Sequence, residues 1–515
     1  MSQQRILKLG SRQSPLAIAQ SRIVKQLLED DHPDVQIDIV GMDTRGDRDR
    51  NTPLSQTNDA DFFNAELDAA LRAGDIDFCV HSLKDLAIER PEDFVIAAIP
   101  ERENPRDVVL FRPDAAEKIA RGEPLVIGTS SVRRAAGIKR FLPEVLPHTD
   151  KPAVIKTTDL RGPIDQRLQH LQDDADQNGS EPMDGIVMAL AGLNRLYLDR
   201  EGAEIIEPLL AGLRRVVLPV SEFPCAPGQA ALAVECRADD GNTRLLLGSI
   251  HDETAARSVL TERALLAQQP ASAQNAYSAT ALPHPLFDVL LWTSDDDESN
   301  LHWMTPAAPA ASRPWNDEAW RSERTRRPQP VTTAINNAPA LFIAHANALP
   351  DDLTPAGHIW TSGISSWKKL AARGVWVEGC AENLGFEYFK TQFDTQVLEL
   401  PQWAEWTALT HKDAVPSWAE SGIGVIIPTY RIEDEAEPDA DTRERIHASS
   451  HFFWGSFGEY EALHKWVPDH AHHACGPGKT LQALLDDGIY DVEPFPSRAE
   501  WLNWVTPANK AAANN

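Results

Sequence analysis

Long apolar runs and cysteine clusters are both missing from this 515-residue sequence. No run approaches the roughly 20 apolar residues that a membrane-spanning helix needs, so no membrane partner is indicated. The five cysteines are scattered and form no C-x-x-C pair, so neither a disulfide framework nor a structural metal is predicted. The first residues, MSQQRILKLG, lack the apolar core of a signal peptide. We therefore expect a cytoplasmic protein.

Positive charge is also scarce. Lysine and arginine total 49 against 77 acidic residues, which gives a formal net charge of -28. Such a chain repels nucleic acid and anionic membranes at long range, so neither is expected as a partner. Any local cluster of arginines is therefore informative.

The chain alternates short apolar runs with helical stretches, which is typical of an α/β fold. In the first half we expect strands at 6–9, 35–40, 76–80, 126–127 and 185–188. Helices should occupy much of 239–264, and a hairpin should surround the acidic turn SDDDESN. Proline and alanine clusters predict a linker over residues 309–338, after which a new α/β block begins.

That second block contains a weak internal repeat of strand, small polar turn, helix, strand and cysteine. Ser362 and Cys380 mark one copy, and Ser456 and Cys475 mark the other, at nearly equal spacing. Two similar α/β halves are therefore predicted.

Two segments of the first half place hydroxyls and arginines where a strand meets a helix. The segment GSRQSPLAIAQS carries Arg12 and Ser14, and GTSSVRRAAGIKR carries a second such set: Thr129, Ser130, Ser131, Arg133 and Arg134. Helix N-termini and guanidinium groups bind carboxylates and phosphates. An ordinary capped helix is the alternative for both segments.

Three more arginines, Arg161, Arg167 and Arg195, stand at or beside the ends of apolar elements. Six arginines placed in this way within an acidic chain indicate a multiply charged anionic substrate.

A buried strand in DIDFCVHSLKDLA leads to His81, Ser82, Lys84 and Asp85. Ligands bind at the carboxyl edge of open α/β sheets. A carboxylate beside a lysine stays ionised and stabilises a developing cation, so Asp85 is the better catalytic candidate. His81 fits a hydrogen-bonded structural role better.

Two motifs near the C-terminus resemble ligand-binding motifs but do not meet their requirements. GPGKT resembles the end of a P-loop, but His473 stands where the first glycine is required, so no nucleotide is predicted. HAHHAC offers metal ligands on a predicted strand, where neighbouring side chains point to opposite faces, so no metal is predicted.

Eight motifs occur in the order and spacing of the porphobilinogen deaminase family, which the first 300 residues resemble: SRQSPLA, TRGD, VHSLKD, IGTSSVRR, LRG with QRL, AGLNRL, APGQAALAVECR and ETAARSVLTERA. The resemblance implies two domains built like type II periplasmic binding proteins, with a cleft between them, and a small third α+β domain. It places domain 1 at 1–106 and 206–237, domain 2 at 107–205 and domain 3 at 238–308. It also implies a transferase that joins four porphobilinogen units head to tail into a linear tetrapyrrole, losing ammonia through a cationic azafulvene.

The same resemblance implies the site residues. Asp85 matches the catalytic carboxylate, with Lys84 beside it. The six arginines match the groups that bind the substrate's acetate and propionate chains, and Ser14, Ser82, Thr129, Ser130 and Ser131 match lesser contacts.

Two departures from the family stand out. The family's glycine- and lysine-rich loop is replaced by the acidic segment SQTNDADFF at 55–63. The family also attaches a dipyrromethane cofactor to a cysteine, and counting from Glu262 places Ala273 at that position. Alanine cannot form the thioether, so covalent attachment is not expected there.

Residues 339–515 resemble uroporphyrinogen-III synthase, which has two α/β lobes around a cleft. WTSG, GCAENLGF and HACGPGKTLQALLDDG carry this resemblance. It implies a lyase-type cyclisation module, with Thr361, Ser362, Tyr430 and Ser456 as candidate contacts to tetrapyrrole carboxylates.

Two hypotheses follow. The chain is a bifunctional enzyme of tetrapyrrole (haem) synthesis whose primer is held noncovalently or on another thiol, such as Cys225 or Cys79. Alternatively, its first half is a degenerate deaminase that only binds porphobilinogen or tetrapyrrole, or serves as a scaffold for the cyclase.

Overall fold

The computed structural model describes residues 5–43, 64–149, 151–173, 182–295, 298–315, 325–329, 335–393, 395–433 and 437–506. Helices and strands alternate through all of these ranges, so the predicted α/β class is confirmed. The TRGD motif at 44–47 and the acidic segment at 55–63 lie outside the described residues. No helix within the described ranges has the length and apolar character needed to cross a membrane.

Within the residues that the structure describes, the strands form five sheets. In chain order they are β1 Arg5–Arg12, β2 Val35–Met42, β3 Phe78–Ser82, β4 Phe94–Ala98, β5 Asp107–Phe111, β6 Leu125–Gly128, β7 Ile155–Thr158, β8 Gly185–Ala189, β9 Arg214–Val217, β10 Leu232–Arg237, β11 Ser278–His284, β12 Asp288–Asp295, β13 Glu298–His302, β14 Pro314–Trp315, β15 Thr325–Pro328, β16 Ala340–Ile343, β17 His358–Thr361, β18 Gly379–Cys380, β19 Trp406–His411, β20 Val425–Glu433, β21 His451–Trp454, β22 His472–Cys475 and β23 Val492–Pro494.

The α-helices of the described residues lie mostly between these strands. They are Pro15–Asp31, Ala65–Ala73, Ala115–Ala120, Val132–Val145, Ile164–Gln172, Leu190–Leu198, Arg200–Leu210, Gly241–Leu247, Glu253–Ala267, Ala271–Gln274, Ile364–Ala371, Phe386–Gln392, Ala440–Ala448, Phe457–Leu463, Lys479–Asp486 and Arg498–Val505.

The first half contains two five-stranded sheets whose first three strands follow the same order. The first runs β2-β1-β3-β10-β4, and the second runs β7-β6-β8-β5-β9. In each sheet the fourth strand is antiparallel to both of its neighbours. The first half therefore contains two similarly built sheets. This agrees with the pair of similar domains that the resemblance implied.

The predicted return of the chain to domain 1 at residue 206 needs correction. β9 lies within 206–237, yet it pairs with β5 in the second sheet. The chain therefore returns to domain 1 only after Val217. The extended backbone of β9 completes the edge beside β5, a long-range pairing that local sequence does not show.

A three-stranded antiparallel sheet, β11-β12-β13, follows. Its β12–β13 hairpin turns at the acidic segment, as predicted. Helix Glu253–Ala267 precedes it and begins at Asp252, whose carboxylate accepts the Ala255 N–H at 2.6 Å.

The second half contains a six-stranded sheet, β15-β20-β19-β16-β17-β18, and a four-stranded sheet, β14-β21-β22-β23. Strand pairs β17–β18 and β21–β22 are both parallel, and each ends at a cysteine after an intervening helix. This agrees with the predicted repeat.

The segment 309–338, which the sequence predicts to be a linker, also contributes strands to two sheets. Within it β14 pairs with β21, and β15 pairs with β20. Both strands are short and lie at sheet edges, so they carry no apolar periodicity that the sequence could reveal.

Aromatic side chains pack the two halves together. The Trp367 ring meets Phe141 edge-on at 5.6 Å, and its Nε1 donates to the Val145 carbonyl at 3.0 Å. Trp376 meets Phe111 in the same way at 5.4 Å. The second half therefore packs directly on the second sheet of the first.

Candidate active site

Asp85 lies in a single 3₁₀ turn, Leu83–Asp85, directly after β3. Its side chain is exposed, while the Lys84 Nζ donates to Gln229 Oε1 at 3.2 Å. Burial lowers the pKa of Lys84, and the neighbouring Asp85 opposes that shift. The Ser82 hydroxyl accepts a hydrogen bond from Gln20 Nε2 at 3.0 Å. The strand therefore delivers a free-standing carboxylate beside a lysine, as the sequence predicted.

Arg133 and Arg134 share a single carboxylate. Arg133 Nη2 bonds one oxygen of Asp107 and Arg134 Nη2 bonds the other, each at 2.7 Å. Burial alone raises the pKa of Asp107, but the charges of Arg134 and Arg133 outweigh it and hold that pKa well below its usual range. Gln229 Nε2 adds a third hydrogen bond at 2.9 Å. The two guanidinium groups are thereby fixed side by side, with a net charge of about +1 between the three ionised groups.

The start of helix Val132–Val145 is a capped N-terminus. Ser131 Oγ accepts the Arg134 N–H at 3.3 Å, and Thr129 Oγ1 accepts the Ser131 N–H at 3.2 Å. Ser130 Oγ donates to the Leu160 carbonyl at 2.8 Å. Ser14 caps helix Pro15–Asp31 in the same way, by accepting the Ala17 N–H at 3.3 Å. The capping alternative is therefore confirmed at both places.

Arg167 approaches this cluster from helix Ile164–Gln172. Burial, together with the charges of Arg134 and Arg161, lowers the pKa of Arg167 to about 10, although the charge of Asp85 opposes this shift. Such mutual effects require these groups to lie close together. Its Nε donates to the Gly162 carbonyl at 2.6 Å. Arg167 remains cationic at neutral pH and can bind a carboxylate.

Arg195 and Arg12 lie on other elements. Arg195 Nη2 donates to the Ala230 carbonyl at 2.5 Å, and burial lowers its pKa to about 10. Arg12 is the last residue of β1. Lys84, Asp85, Arg133, Arg134, Arg161 and Arg167 come from three separate segments of sequence, and the charges of the others act on the pKa of Lys84 or Arg167.

Sequence reasoning missed Asp107 and Gln229. Asp107 is fully buried at the start of the apolar strand β5. An acidic residue at the start of an apolar strand was the available signal, since buried carboxylates require a cationic partner.

The family's cofactor position, by counting, is Ala273, and here the chain forms a one-turn helix, Ala271–Gln274. The Ala273 carbonyl accepts the Tyr277 N–H at 3.1 Å. No cysteine occurs in the sequence between Cys236 and Cys380. This segment therefore offers no thiol.

The two alternative thiols are poor nucleophiles. Cys225 is fully buried, and burial raises its pKa to about 12. Burial also raises the pKa of Cys79, whose Sγ lies 3.1 Å from His81 Nε2. A neutral buried thiol does not attack an electrophile at neutral pH.

Cys79, His81 and Glu235 group their ligand-type atoms within 4.8 Å. Arg90 Nε already bonds Glu235 Oε1 at 2.8 Å, so a cation occupies one side of this carboxylate. His81 is buried there, as its structural interpretation predicted. In the HAHHAC segment, His473 Nδ1 accepts the Trp454 Nε1–H at 3.0 Å. The absence of a metal stays a prediction.

The second-half candidates are mostly engaged within the fold. Thr361 is fully buried and donates to the Gly363 carbonyl at 3.1 Å, and its contact with a tetrapyrrole stays a prediction. Ser362 Oγ donates to the Ala344 carbonyl at 2.6 Å. Ser456 caps helix Phe457–Leu463. Tyr430 is buried, and burial raises its pKa.

Comparison with known proteins shows which family the chain resembles. The family model described as "Porphobilinogen deaminase, dipyromethane cofactor binding domain" matches residues 7–245. Porphobilinogen deaminase from Roseiflexus sp. (strain RS-1) is 36% identical over 262 residues, which cover 51% of this chain and 77% of that relative. The chain belongs to the porphobilinogen deaminase family.

Other members of this family match the chain to a similar extent. Porphobilinogen deaminase from Deinococcus radiodurans is 36% identical over 265 residues, covering 51% of this chain and 76% of the relative. That from Limosilactobacillus reuteri is 34% identical over 255 residues, covering 50% and 74%. Among solved structures, the regulatory domain of OxyR from Pseudomonas aeruginosa matches with 13% identity and a TM-score of 0.24, covering 48% of this chain and 97% of that chain. The deaminase relatives all match about half of the chain.

Proposed function

We propose that the first half condenses four porphobilinogen molecules head to tail, with loss of ammonia, as a hydroxymethylbilane synthase in tetrapyrrole synthesis. The observation that carries this proposal is the exposed Asp85 carboxylate within a group of cations that includes Lys84, Arg134 and Arg167. Porphobilinogen carries two carboxylates on a pyrrole, so its condensation needs fixed guanidinium groups and one anion for the developing positive charge.

Each residue group has a distinct role in this proposal. Arg133, Arg134 and Arg167 bind acetate and propionate carboxylates of the growing chain. Asp85 accepts hydrogen bonds from pyrrole N–H groups and stabilises the cation formed when ammonia leaves. Lys84 lies beside Asp85 and provides a neighbouring positive charge.

The family's dipyrromethane cofactor fits these residues only in part. The paired guanidinium groups suit its carboxylates, and when bound it supplies the pyrrole carbon from which the chain grows. No thiol is present at Ala273, and the buried Cys225 and Cys79 do not replace it. We therefore propose a primer held noncovalently by the arginines.

A second candidate function is binding without turnover. The missing thiol favours it, because family members keep their primer attached through every condensation step. In this case the first half would hold porphobilinogen or a tetrapyrrole and support the second half as a scaffold.

For the second half we propose a uroporphyrinogen-III synthase-like cyclisation of the linear tetrapyrrole. The support is its two α/β sheets and the recurrence of strand, serine and helix at Ser362 and Ser456. We propose the domain bounds expected from the sequence, with the return to domain 1 placed after Val217 and with two edge strands inside 309–338.

One pair of measurements tests the proposal. Purified full-length protein is supplied with porphobilinogen, with and without a synthetic dipyrromethane primer, and both ammonia and hydroxymethylbilane are quantified. Intact mass spectrometry of the same sample is expected to show no covalent adduct. Production of hydroxymethylbilane supports the enzyme, whereas saturable binding with no product in either condition supports the binding function. Conversion of added hydroxymethylbilane to the type III uroporphyrinogen isomer tests the second half.

A further inference from the structure

A buried ion pair joins the two halves beside the candidate active site. Arg106 Nε bonds Glu382 Oε2 at 3.1 Å, and the two side chains are 3% and 1% exposed. The other oxygen of Glu382 accepts the Ser221 N–H at 2.8 Å. The Arg106 guanidinium also lies 5.1 Å from the centre of the Phe393 ring. The second half therefore supplies both a counter-charge and a packing surface for Arg106.

The backbone that presents Glu382 is strained. Glu382 has φ 52° and Asn383 has φ 61°, both in the left-handed region that non-glycine residues rarely adopt. Such a conformation persists only where its surroundings require it. The Asn383 N–H donates to the Ser362 carbonyl at 2.8 Å, which fixes this turn. The strained turn directs the Glu382 carboxylate into the first half.

Arg106 directly precedes Asp107, the carboxylate that holds Arg133 and Arg134. Neighbouring side chains of an extended chain point to opposite faces. Arg106 accordingly contacts the second half, while Asp107 contacts the two arginines. The Arg106 carbonyl also accepts the Leu190 N–H at 3.0 Å. An anchor on Arg106 therefore fixes the position of Asp107.

We propose that Glu382 is a positioning residue for the anion-binding arginines of the other half of the chain. Acting through Arg106 and Asp107, it holds Arg133 and Arg134 in the geometry that binds carboxylates. The deaminase site is thus completed by the second half, and the fusion is part of its architecture. The identity of the anion rests on the proposed function, but the positioning does not.

The test compares Glu382→Gln, which removes the charge at nearly constant shape, with Glu382→Asp, which keeps the charge on a shorter side chain. The matched control is Glu399→Gln. Glu399 bonds Arg215 at 2.7 Å across the same interface, but Arg215 is not adjacent to Asp107. Trp454→Phe, in the four-stranded sheet, controls for a general loss of stability, since it removes the hydrogen bond from Trp454 Nε1 to His473 Nδ1.

With porphobilinogen as substrate, we expect Glu382→Gln to raise KM about tenfold or more, because displacement by about 1 Å weakens oriented contacts severely. The kcat value should change less, and Glu382→Asp should recover part of the loss. Both controls should stay within about twofold of wild type. An unchanged KM in Glu382→Gln, or an equal rise in Glu399→Gln, would overturn the proposal.

Hydrogen exchange gives a second measurement that needs no turnover. Peptides covering 107–111 and 132–137 should exchange faster in Glu382→Gln than in wild type or Glu399→Gln. If Glu382→Gln does not fold, Glu382→Asp is compared with Glu399→Asp by the same measurement. If wild type consumes no porphobilinogen, the proposed enzyme fails, and exchange alone decides the positioning role. Equal exchange in all variants would refute it.

Discussion

Glu262 and Arg102 form a buried bidentate ion pair, with N···O distances of 2.7 and 3.1 Å. The same carboxylate accepts the N–H groups of Gly228 and Ala281, each at 2.7 Å. Gly228 has φ 79°, a conformation that favours glycine, in the loop that precedes β10. Glu262 therefore connects helix Glu253–Ala267, strand β11 and this loop in one network.

Substitution Glu262→Gln should destabilise the protein strongly. Removing one partner of a buried ion pair leaves Arg102 without its counter-charge, and such changes cost about 3–5 kcal/mol. Urea denaturation, followed by tryptophan fluorescence, measures the change. Asp93→Asn, which breaks the exposed ion pair with Arg72, is the control and should leave the midpoint unchanged. A loss below about 1 kcal/mol in Glu262→Gln would show that the network is not stabilising.

Asp85→Asn should abolish most turnover and keep substrate binding. The amide retains a hydrogen-bond acceptor for pyrrole N–H but carries no charge to stabilise the cation that forms as ammonia leaves. We expect kcat to fall by about a hundredfold or more, with KM within a few-fold. Glu89→Gln removes an exposed acid nearby and should leave kcat unchanged. Equal rates for Asp85→Asn and wild type would remove Asp85 from the chemistry.

Local features of the site were predictable from sequence. Two kinds of local feature depend on neighbours within a few residues: the caps at Ser14 and Ser131, and the strand leading to Asp85. Their sequence signals therefore lie in adjacent residues. The arginines stood out because the rest of the chain is acidic.

Long-range features were not predictable in this way. Asp107 receives Arg133 and Arg134 only after the second sheet forms, and Glu382 meets Arg106 across 276 residues. β9 and β14 are four and two residues long, too short for a periodic pattern, and their pairing partners alone define them. Sequence therefore indicated which groups are charged, whereas folding decided which of them meet.

His345 should make the second half sensitive to acid. Burial, together with the charges of Arg326, Lys369 and His411, lowers its pKa to about 4. Its Nδ1 also accepts the Asn347 N–H at 3.1 Å, which requires that nitrogen to be unprotonated. The unfolded chain takes up this proton between the usual pKa of 6.5 and the lowered value, so the stability present above pH 6.5 is lost as pH falls through that window.

His345→Asn keeps a short side-chain acceptor at this turn and removes the titration. The variant should lose less unfolding free energy than wild type between pH 6.5 and pH 5, by at most about 1.4 kcal/mol per pH unit. Denaturant titrations at several pH values measure this difference. His470→Asn, at an exposed histidine, should follow the wild-type profile. Parallel profiles for His345→Asn and wild type would contradict the assignment.

Ala273→Cys should give the first half a covalent primer. If residue 273 holds the family's attachment position, a thiol there is delivered to a cleft that already carries arginines for the primer's carboxylates. A half-buried thiol in a short turn is also more accessible than the fully buried Cys225. The variant produced in cells that make porphobilinogen should therefore carry an added mass of two linked pyrrole units, whereas wild type should carry none.

Ala276→Cys is the matched control, because it places an exposed thiol three residues further along the same segment. It should remain unmodified, since attachment requires the thiol to meet a primer already oriented by the arginines. Faster hydroxymethylbilane formation by Ala273→Cys than by wild type would show that loss of the covalent anchor limits the natural enzyme. Modification of both variants would indicate unspecific reaction with a pyrrole electrophile, and modification of neither would place the primer elsewhere in the cleft.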